Sequence, residues 1–347
     1  MHRNTWLRTL CALLGMFAPI PGWSADWNAR LAADYLDHRQ QQWFEWAPAK
    51  APGGPCISCH TGLTYLLSRP MLRRTLGEKE PTVYETGLLN GLRARMAEGT
   101  SMFPGFREEP LKTQGRNVEL ALAMLLLKGD EIPQKERQTP FDREAGGYEG
   151  LWGFRLGLAP WESDSSGYFT AGLVALANRD LREPGPTGAL SFLGNSLPEQ
   201  PLHQKLMSLW ARVPGLDPEA REGLVKEVWK LQKPDGSWSD EALGPWPQPG
   251  GRLAGKGSSA YATAFVAFVL QQAGIGCEDE RLTRAKRWLG SQQDAKSGAW
   301  RSQSMNKAYA RESLPAGFMD DAATGFAVMA LLDPGLCGSG TSRVQGQ

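Results

Sequence analysis

The sequence is poor in cysteine and histidine, and its charges nearly cancel. It contains five cysteines and four histidines in 347 residues, and 38 basic and 37 acidic side chains give a formal net charge of +1. This balance provides no basic field for a phosphate backbone, which excludes nucleic-acid binding as a function class. Beyond the N-terminal region, no second hydrophobic stretch reaches membrane length. The length suits one large or two modest domains.

The N-terminal residues have the pattern of a secretory signal peptide. Arg3 and Arg8 flank a short polar start, an apolar run follows over residues 10–20, and Ala25 ends the segment. The pattern predicts cleavage after Ala25, and loss of the two arginines changes the net charge from +1 to −1. An uncleaved anchor is the alternative, although the apolar run is short for a span. We therefore expect a periplasmic or secreted protein with no stable membrane span after cleavage.

One short segment holds two of the cysteines and a histidine. Cys56 and Cys59 are separated by two residues, and His60 follows at once. The spacing resembles a c-type haem attachment site, in which each thiol forms a thioether to a haem vinyl group and the imidazole binds iron. A redox or zinc cysteine pair is the alternative, but zinc requires further ligands, and the remaining histidines and cysteines are scattered. The segment predicts one covalent haem c.

A methionine loop is the candidate for the far side of the haem iron. Residues 99–106 resemble the methionine-containing loop of small cytochromes c, where the thioether sulfur is the sixth ligand. Met102 is the predicted metal ligand of this loop. Met71, Met96 and an open coordination position are the alternatives. His38 is a further alternative, but its polar neighbours favour a surface position.

A repeat of about 60 residues occupies the second half of the chain. Two copies are clear, over residues 229–270 and 288–332, and a degenerate copy covers residues 150–176. Each copy predicts a helix, a Gly/Trp turn and a second helix. The first helix is amphipathic and should lie outside, whereas the second is apolar on all sides and should be buried. The pattern indicates an α/α barrel.

The turn sequence Gln-Xaa-Xaa-Asp-Gly-Ser-Trp at residues 232–238 resembles the repeat of squalene–hopene cyclases and related class II terpene cyclases. The resemblance covers about residues 117–332. It implies an all-α protein with the α/α toroid shared by terpene cyclases, protein prenyltransferases and thioester domains of complement-like proteins. It also implies that Trp238 and Trp300 pack across their turns. Trp246 and these two residues could instead line a pocket. Activity does not follow from fold alone.

The sequence divides into four predicted regions. Helices are also predicted upstream of the repeats, and they either complete the toroid or form a separate small cytochrome domain. A polar, charged stretch at residues 129–147 is the candidate linker. The predicted regions are a signal peptide at 1–25, a haem-c-binding helical region at 26–132, toroid repeats at 133–337 and a disordered tail at 338–347.

An acidic pair precedes the last predicted helix. Residues 319–322 read Met-Asp-Asp-Ala and partly match the acid motif of class II cyclases, Asp-Xaa-Asp-Asp-Thr-Ala. Asp320 aligns with the proton donor of that motif, but Phe318 replaces its first aspartate. As an alternative role, Asp320 caps the helix, which would lower its pKa. Asp320 is thus the candidate catalytic acid of the alternative function.

Apart from Cys11 in the predicted signal peptide, two cysteines remain for a disulfide bond. Cys277 and Cys337 each lie about 13 residues beyond the repeat threonine, so they occupy equivalent positions in two copies. In an oxidising compartment we expect them to be bonded.

The favoured function is an exported haem-c protein with an electron-transfer or redox role on a toroid scaffold. Its partner would be a redox protein or a small molecule, neither of which the sequence identifies. One alternative is a terpene-cyclase-like lyase or isomerase that uses Asp320 as acid. The other is a non-catalytic binding scaffold.

Overall fold

The protein is all-α. The computed structural model describes residues 27–98, 111–127, 160–161, 166–181, 187–213, 216–246, 255–305, 307–310 and 312–333. These residues form twelve α-helices and one two-stranded antiparallel sheet, β1 (Lys50–Ala51) and β2 (Gly54–Pro55). The helices are α1 (Ala29–Glu45), α2 (Gly62–Leu76), α3 (Val83–Glu98), α4 (Leu111–Leu126), α5 (Ser166–Leu181), α6 (Thr187–Ser196), α7 (Leu202–Ala211), α8 (Pro218–Lys230), α9 (Asp240–Leu243), α10 (Ala260–Gln272), α11 (Glu280–Gly290) and α12 (Phe318–Leu332).

The two clear repeats have one exposed and one buried helix each, as the sequence predicts. In the first repeat, α8 buries only Leu224 and Val228. Helix α10 is buried from its first residue to Gln271, because its side chains are small or apolar all round. The side chain of Ser259 caps α10 by accepting a hydrogen bond from the backbone of Ala262. The second repeat pairs the strongly charged α11 with the buried α12.

The buried helices contact one another in a series. Helix α7 packs against α5 and α10, α10 packs against α12, and α12 packs against α2. Helix α5 also packs against α4. A single apolar core therefore includes residues from both the upstream helices and the repeats.

The repeat tryptophans anchor their turns. Trp238 and Trp300 are both fully buried. The indole N–H of Trp238 donates to the carbonyl of Val228 at 2.9 Å, and that of Trp300 donates to the carbonyl of Leu289 at 2.7 Å. The backbone N–H of each tryptophan donates to a threonine hydroxyl of the following buried helix. Each tryptophan thus joins both helices of its unit, one through its indole and the other through its backbone, which confirms the predicted turn role.

The repeat glutamines connect each unit to the next helix. The Gln232 side chain donates to the carbonyls of Gly236 and Arg281, so it joins its own turn to α11. The Gln293 side chain donates to the carbonyls of Gly298 and Asn28 in the same manner. For the last repeat, α1 therefore occupies the place that α11 has for the repeat before it.

Glycine is required where each turn meets its neighbouring helix. Gly236 has a φ of +95°, and an added Cβ would lie 2.7 Å from the carbonyl carbon of Arg284. Gly298 has a φ of +80°, and an added Cβ would lie 2.2 Å from the carbonyl oxygen of Leu31. The left-handed conformation and the close approach both favour glycine.

Several predictions fall outside the described residues. These are the signal peptide, Met102, the linker at residues 129–147, Cys337 and the C-terminal tail. No helix among the described residues is long and apolar enough to cross a membrane. The prediction that the acidic pair precedes the last helix was wrong, because α12 begins at Phe318 and includes both aspartates.

Candidate functional site

The cysteine–histidine segment lies in the turn between the β1–β2 hairpin and α2. The backbone N–H of Cys56 donates to the carbonyl of Ala49 at 2.8 Å. The indole N–H of Trp43 on α1 donates to the carbonyl of Cys56 at 2.8 Å. The turn is therefore held to α1 before it reaches the second cysteine.

A buried ion pair supports the hairpin from the other side. Arg95 of α3 donates to Glu119 of α4 at 2.5 Å, and both side chains are buried. Arg95 also donates to the carbonyls of Pro52 and Gly54, at 3.0 and 3.3 Å. Helices α3 and α4 thus position the hairpin that leads into Cys56.

Helix α2 begins at Gly62, two residues after His60, and Ser58 satisfies the backbone groups at its start. The Ser58 hydroxyl accepts from the backbone N–H groups of Thr61 and Gly62, at 2.8 and 3.2 Å. This side-chain cap ends the turn and begins the helix. Cys59 and His60 therefore have fixed positions relative to the axis of α2.

The predicted haem residues are buried together. Cys56 is 1% exposed, and Cys59 and His60 are each 3% exposed. Both cysteines are thiols. The His60 imidazole stacks on Phe318 of α12 with ring centres 5.5 Å apart, and it also contacts Trp161 at 4.7 Å in an edge arrangement. The two rings restrict the orientation of the imidazole.

A buried carboxylate connects this turn to α12 and α1. Asp321 accepts from the Thr61 hydroxyl at 2.7 Å and from the Tyr35 hydroxyl at 2.8 Å. It also accepts two hydrogen bonds from Arg39, at 2.6 and 3.0 Å. Sequence reasoning missed this role of Asp321. The signal was an arginine on the apolar side of an amphipathic helix, where a charge requires a partner.

Asp320 does not cap α12, and this prediction was wrong. The N-cap residue is Gly317, which places Asp320 inside the first turn. Its carboxylate instead accepts from the backbone N–H of Ser302 at 2.7 Å and from Arg301 at 2.8 Å. The predicted lowering of its pKa was also wrong, because burial raises the pKa of Asp320 more than these two donors lower it.

A second cluster of polar groups contacts Trp161, which also contacts His60. The hydroxyl of Tyr261 and Nε2 of His203 are 2.7 Å apart. Both side chains are fully buried, and burial lowers the pKa of His203 to about 3. Trp161 contacts both, with ring centres 5.6 Å from Tyr261 and 6.2 Å from His203. From the sequence alone, His203 was only one of the scattered histidines. Its position in a mostly apolar helix was the signal that could have predicted its burial.

An acidic residue of the same region is also buried. Asp240 accepts from the Ser259 hydroxyl at 2.5 Å, and burial raises its pKa to about 6. The indole N–H of Trp246 donates to the Asp240 carbonyl at 2.9 Å, and Trp246 is buried. Trp246 thus bonds to Asp240 and also contacts the His203 ring, with ring centres 5.5 Å apart.

The remaining candidate residues are distributed over the fold. His38 is exposed on α1, as predicted. Met71 on α2 is partly buried and Met96 near the end of α3 is buried. Cys277 is disulfide-bonded, and its partner lies outside the described residues, because the other cysteines among them are thiols. In the part of the chain that the structure describes, no three His, Cys, Asp or Glu side chains form a group that could hold a metal ion.

No protein-family model matches the chain, and no curated protein matches it.

Proposed function

We propose that this chain is an exported c-type haem protein with an electron-transfer or redox role, built on an α/α toroid. The observation that supports it most directly is the common burial of Cys56, Cys59 and His60 in one turn beside aromatic rings. Two thiols and an adjacent imidazole are the donor set that covalent haem attachment requires.

The surrounding residues fit a haem in chemical terms. Cys56 and Cys59 would form the thioethers, and His60 would be the axial ligand. A bound haem would supply a one-electron carrier. Phe318 and Trp161 restrict the imidazole ring, and their apolar surfaces exclude water, which is one of the means by which a protein sets a reduction potential. The Thr61–Asp321 hydrogen bond holds the turn next to the axial ligand.

The sixth ligand in this proposal is Met102. Its support comes from the sequence, where a methionine loop follows the haem residues at a spacing close to that of small bacterial cytochromes. Met71, Met96 and an open position remain the alternatives.

The toroid part of the proposal has support from the repeat contacts. Gln232 bonds to the start of α11, and Gln293 bonds to the residue before α1 in the same way. If α1 and α2 are one further outer and inner pair, the ring closes through the chain's own N-terminal helices. The haem turn would then occupy the place that the tryptophan turn has in the repeats.

Export has two lines of support. The first is the signal-peptide pattern of residues 1–25. The second is the disulfide bond of Cys277, because disulfides are rare in reducing compartments. Cys56 and Cys59 are thiols in the same molecule, as haem attachment requires.

A terpene-cyclase-like activity is the second candidate. The raised pKa of Asp320 is the direction that a proton donor needs. Its hydrogen bond from Arg301, whose side chain is 58% exposed, instead stabilises the ionised form of the carboxylate. A non-catalytic scaffold is the remaining alternative.

The test is the mass of the mature protein produced together with a cytochrome maturation system. We expect one covalent haem that survives denaturation, and the Cys56→Ala/Cys59→Ala variant should lack it. The exposed His38→Ala variant is the control and should keep it. A wild-type mass equal to that of the bare polypeptide would refute the proposal.

A further inference from the structure

Four side chains form a continuous line of contacts from the candidate haem turn into the interior. The ring centre of Trp161 lies 4.7 Å from that of His60 and 5.6 Å from that of Tyr261. The Tyr261 hydroxyl in turn lies 2.7 Å from Nε2 of His203. Each of the four side chains is at most 3% exposed. Because electron transfer slows steeply with distance, rings in direct contact are a favoured route for an electron through a protein interior.

The hydrogen bonds of His203 leave its Nε2 free to accept from Tyr261. Burial lowers the pKa of His203 to about 3, and a hydrogen bond with the Gln204 side chain opposes this shift. A bond that favours the protonated imidazole is one in which the ring N–H donates to the amide oxygen. The Gln204 amide nitrogen itself donates to the carbonyl of Pro160 at 3.1 Å. The neutral ring therefore has its proton on Nδ1, and the lone pair of Nε2 accepts from the Tyr261 hydroxyl.

We propose that Tyr261 is a redox-active tyrosine, which loses an electron to oxidised Trp161 and transfers its phenol proton to His203. The oxidant is a strong one-electron oxidant that first removes an electron from the Trp161 indole. One electron then moves from the Tyr261 ring to the indole radical cation. At the same time the phenol O–H bond breaks and an N–H bond forms at Nε2 of His203. The products are a neutral indole, a neutral tyrosyl radical and a protonated imidazole.

The hydrogen bonds explain why the radical would rest on Tyr261 rather than on Trp161. An oxidised phenol is a very strong acid, so a phenol is easier to oxidise where a base accepts its proton at once. Tyr261 has such a base at 2.7 Å, whereas Nε1 of Trp161 has no hydrogen-bond partner among the described residues. Trp161 is therefore suited to relay the charge, and Tyr261 is suited to hold it.

A carboxyl group near Tyr261 supports the same direction of transfer. Burial raises the pKa of Tyr261 well above its ordinary value, and the negative charge of Asp240 raises it further. The phenol therefore keeps its proton until it is oxidised. The same negative charge stabilises the positive charge that the transfer leaves on the imidazole beside Tyr261.

Tyr168 provides a matched comparison within the same chain. Its side chain is also fully buried. Its hydroxyl, however, donates to the carbonyl of Leu193 at 3.0 Å and bonds to the Ser208 hydroxyl. Neither partner is a base, so oxidation of Tyr168 would leave its proton without an acceptor.

The line of contacts leads away from the candidate haem turn. Cys56 and Cys59 are thiols in this turn, and thiols are among the side chains most readily damaged by oxidation. An oxidising equivalent that arises at His60 would reach Tyr261 through Trp161 and rest there. The step needs no haem, so the inference goes beyond the proposed function.

The experiment is one-electron oxidation of the full-length protein by tris(bipyridine)ruthenium(III), which a light flash generates in the presence of a sacrificial electron acceptor. The samples are then frozen rapidly and measured by electron paramagnetic resonance. Protein that contains ring-deuterated tyrosine identifies the tyrosyl radical, because deuteration narrows its signal. We expect a tyrosyl radical to be the main radical trapped in the wild-type protein.

Three variants and one control test the assignment. Tyr261→Phe keeps the ring and should lose most of the tyrosyl signal. Trp161→Phe removes the relay, and His203→Gln replaces the base by an amide that can accept a hydrogen bond but not the proton, so both should lower the signal. Tyr168→Phe is the control and should leave the signal unchanged. Thermal unfolding shows whether each variant is folded at the temperature of the flash.

The outcomes separate this inference from the proposed function. Absence of a tyrosyl radical in the wild-type protein, an unchanged signal in folded Tyr261→Phe, or an equal loss in Tyr168→Phe would overturn the assignment of Tyr261. An unchanged signal in both folded Trp161→Phe and His203→Gln would overturn the transfer step. Haem is measured by mass on the same samples. Haem-free protein that holds the radical on Tyr261 would refute only the proposed function, and haem-loaded protein that does not would refute only this inference.

Discussion

Gln293 and Asn28 exchange two hydrogen bonds although 265 residues separate them in sequence. The backbone N–H of Asn28 donates to the Gln293 side-chain oxygen at 2.6 Å, and the Gln293 amide donates back to the Asn28 carbonyl at 3.0 Å. The side chain of Asn28 in turn caps α1. This contact attaches the helix before the candidate haem turn to the last repeat.

Replacement of Gln293 by alanine tests that attachment. The variant loses both bonds to Asn28 and the bond to Gly298, and we expect unfolding free energy to fall by about 1–3 kcal/mol. The adjacent Gln292→Ala is the control, because Gln292 is exposed and its side chain donates to the neighbouring Ser291 hydroxyl. Urea unfolding compares the two. Equal stability of both variants would show that the contact contributes nothing.

Trp238→Ala and Trp300→Ala should each destabilise the protein strongly. Each change removes a fully buried indole, for which the expected loss is about 3–5 kcal/mol. Haem content of the protein that remains folded should not change. Thermal unfolding measures the first effect and mass the second. A loss below about 1 kcal/mol would mean that the indole is exposed in solution.

Asp321→Asn should destabilise the connection between α12, α1 and the candidate haem turn. The variant leaves the buried guanidinium of Arg39 without its charge partner, which costs about 3–5 kcal/mol. Arg39→Met in addition removes the unpaired charge, so the double variant should recover part of the loss. Urea unfolding of the four proteins gives the coupling energy. Additive effects of the two changes would argue against a direct interaction.

Asp240 predicts a pH dependence of stability. Its folded-state pKa of about 6 lies above the ordinary 3.8, so the folded state binds the proton more tightly than the unfolded state. Its favourable contribution is complete below about pH 4 and is lost as pH rises through about 6. Asp240→Asn keeps an acceptor for Ser259 but cannot ionise. The variant should be more stable than wild type at pH 7, by about 1–3 kcal/mol, and similar at pH 4.

The measurement is urea unfolding of wild type and Asp240→Asn at several values between pH 4 and pH 7. Parallel profiles for the two proteins would show that Asp240 does not titrate in this range.

Met102→Ala tests the proposed sixth ligand. A methionine–histidine iron gives a weak absorption band in the near-red spectrum of the oxidised protein. The variant should lose this band and have a lower reduction potential, because thioether ligation raises the potential. Met96→Leu is the comparison, since Met96 is the buried rival. A spectrum unchanged by Met102→Ala would exclude Met102 as the ligand.

The sequence determined the helices and the repeat turns. Helix α10 was predictable because serine favours the N-cap position of a helix, and a helix that is apolar on all sides is stable only when it is buried. The tryptophan turns were predictable for a similar reason, since an aspartate and a glycine end the first helix locally and both precede a tryptophan in each repeat. The adjacency of Cys56, Cys59 and His60 is likewise a property of the sequence alone.

The tertiary structure decided which distant groups meet. Asp320 and Asp321 are neighbours in sequence, yet Asp320 accepts from the loop at Ser302 whereas Asp321 accepts from α1 and from Thr61. A local pattern cannot separate them, because pKa and pairing depend on burial and on partners from other helices. The same holds for Trp161 and His203, whose contact joins segments that the sequence does not connect.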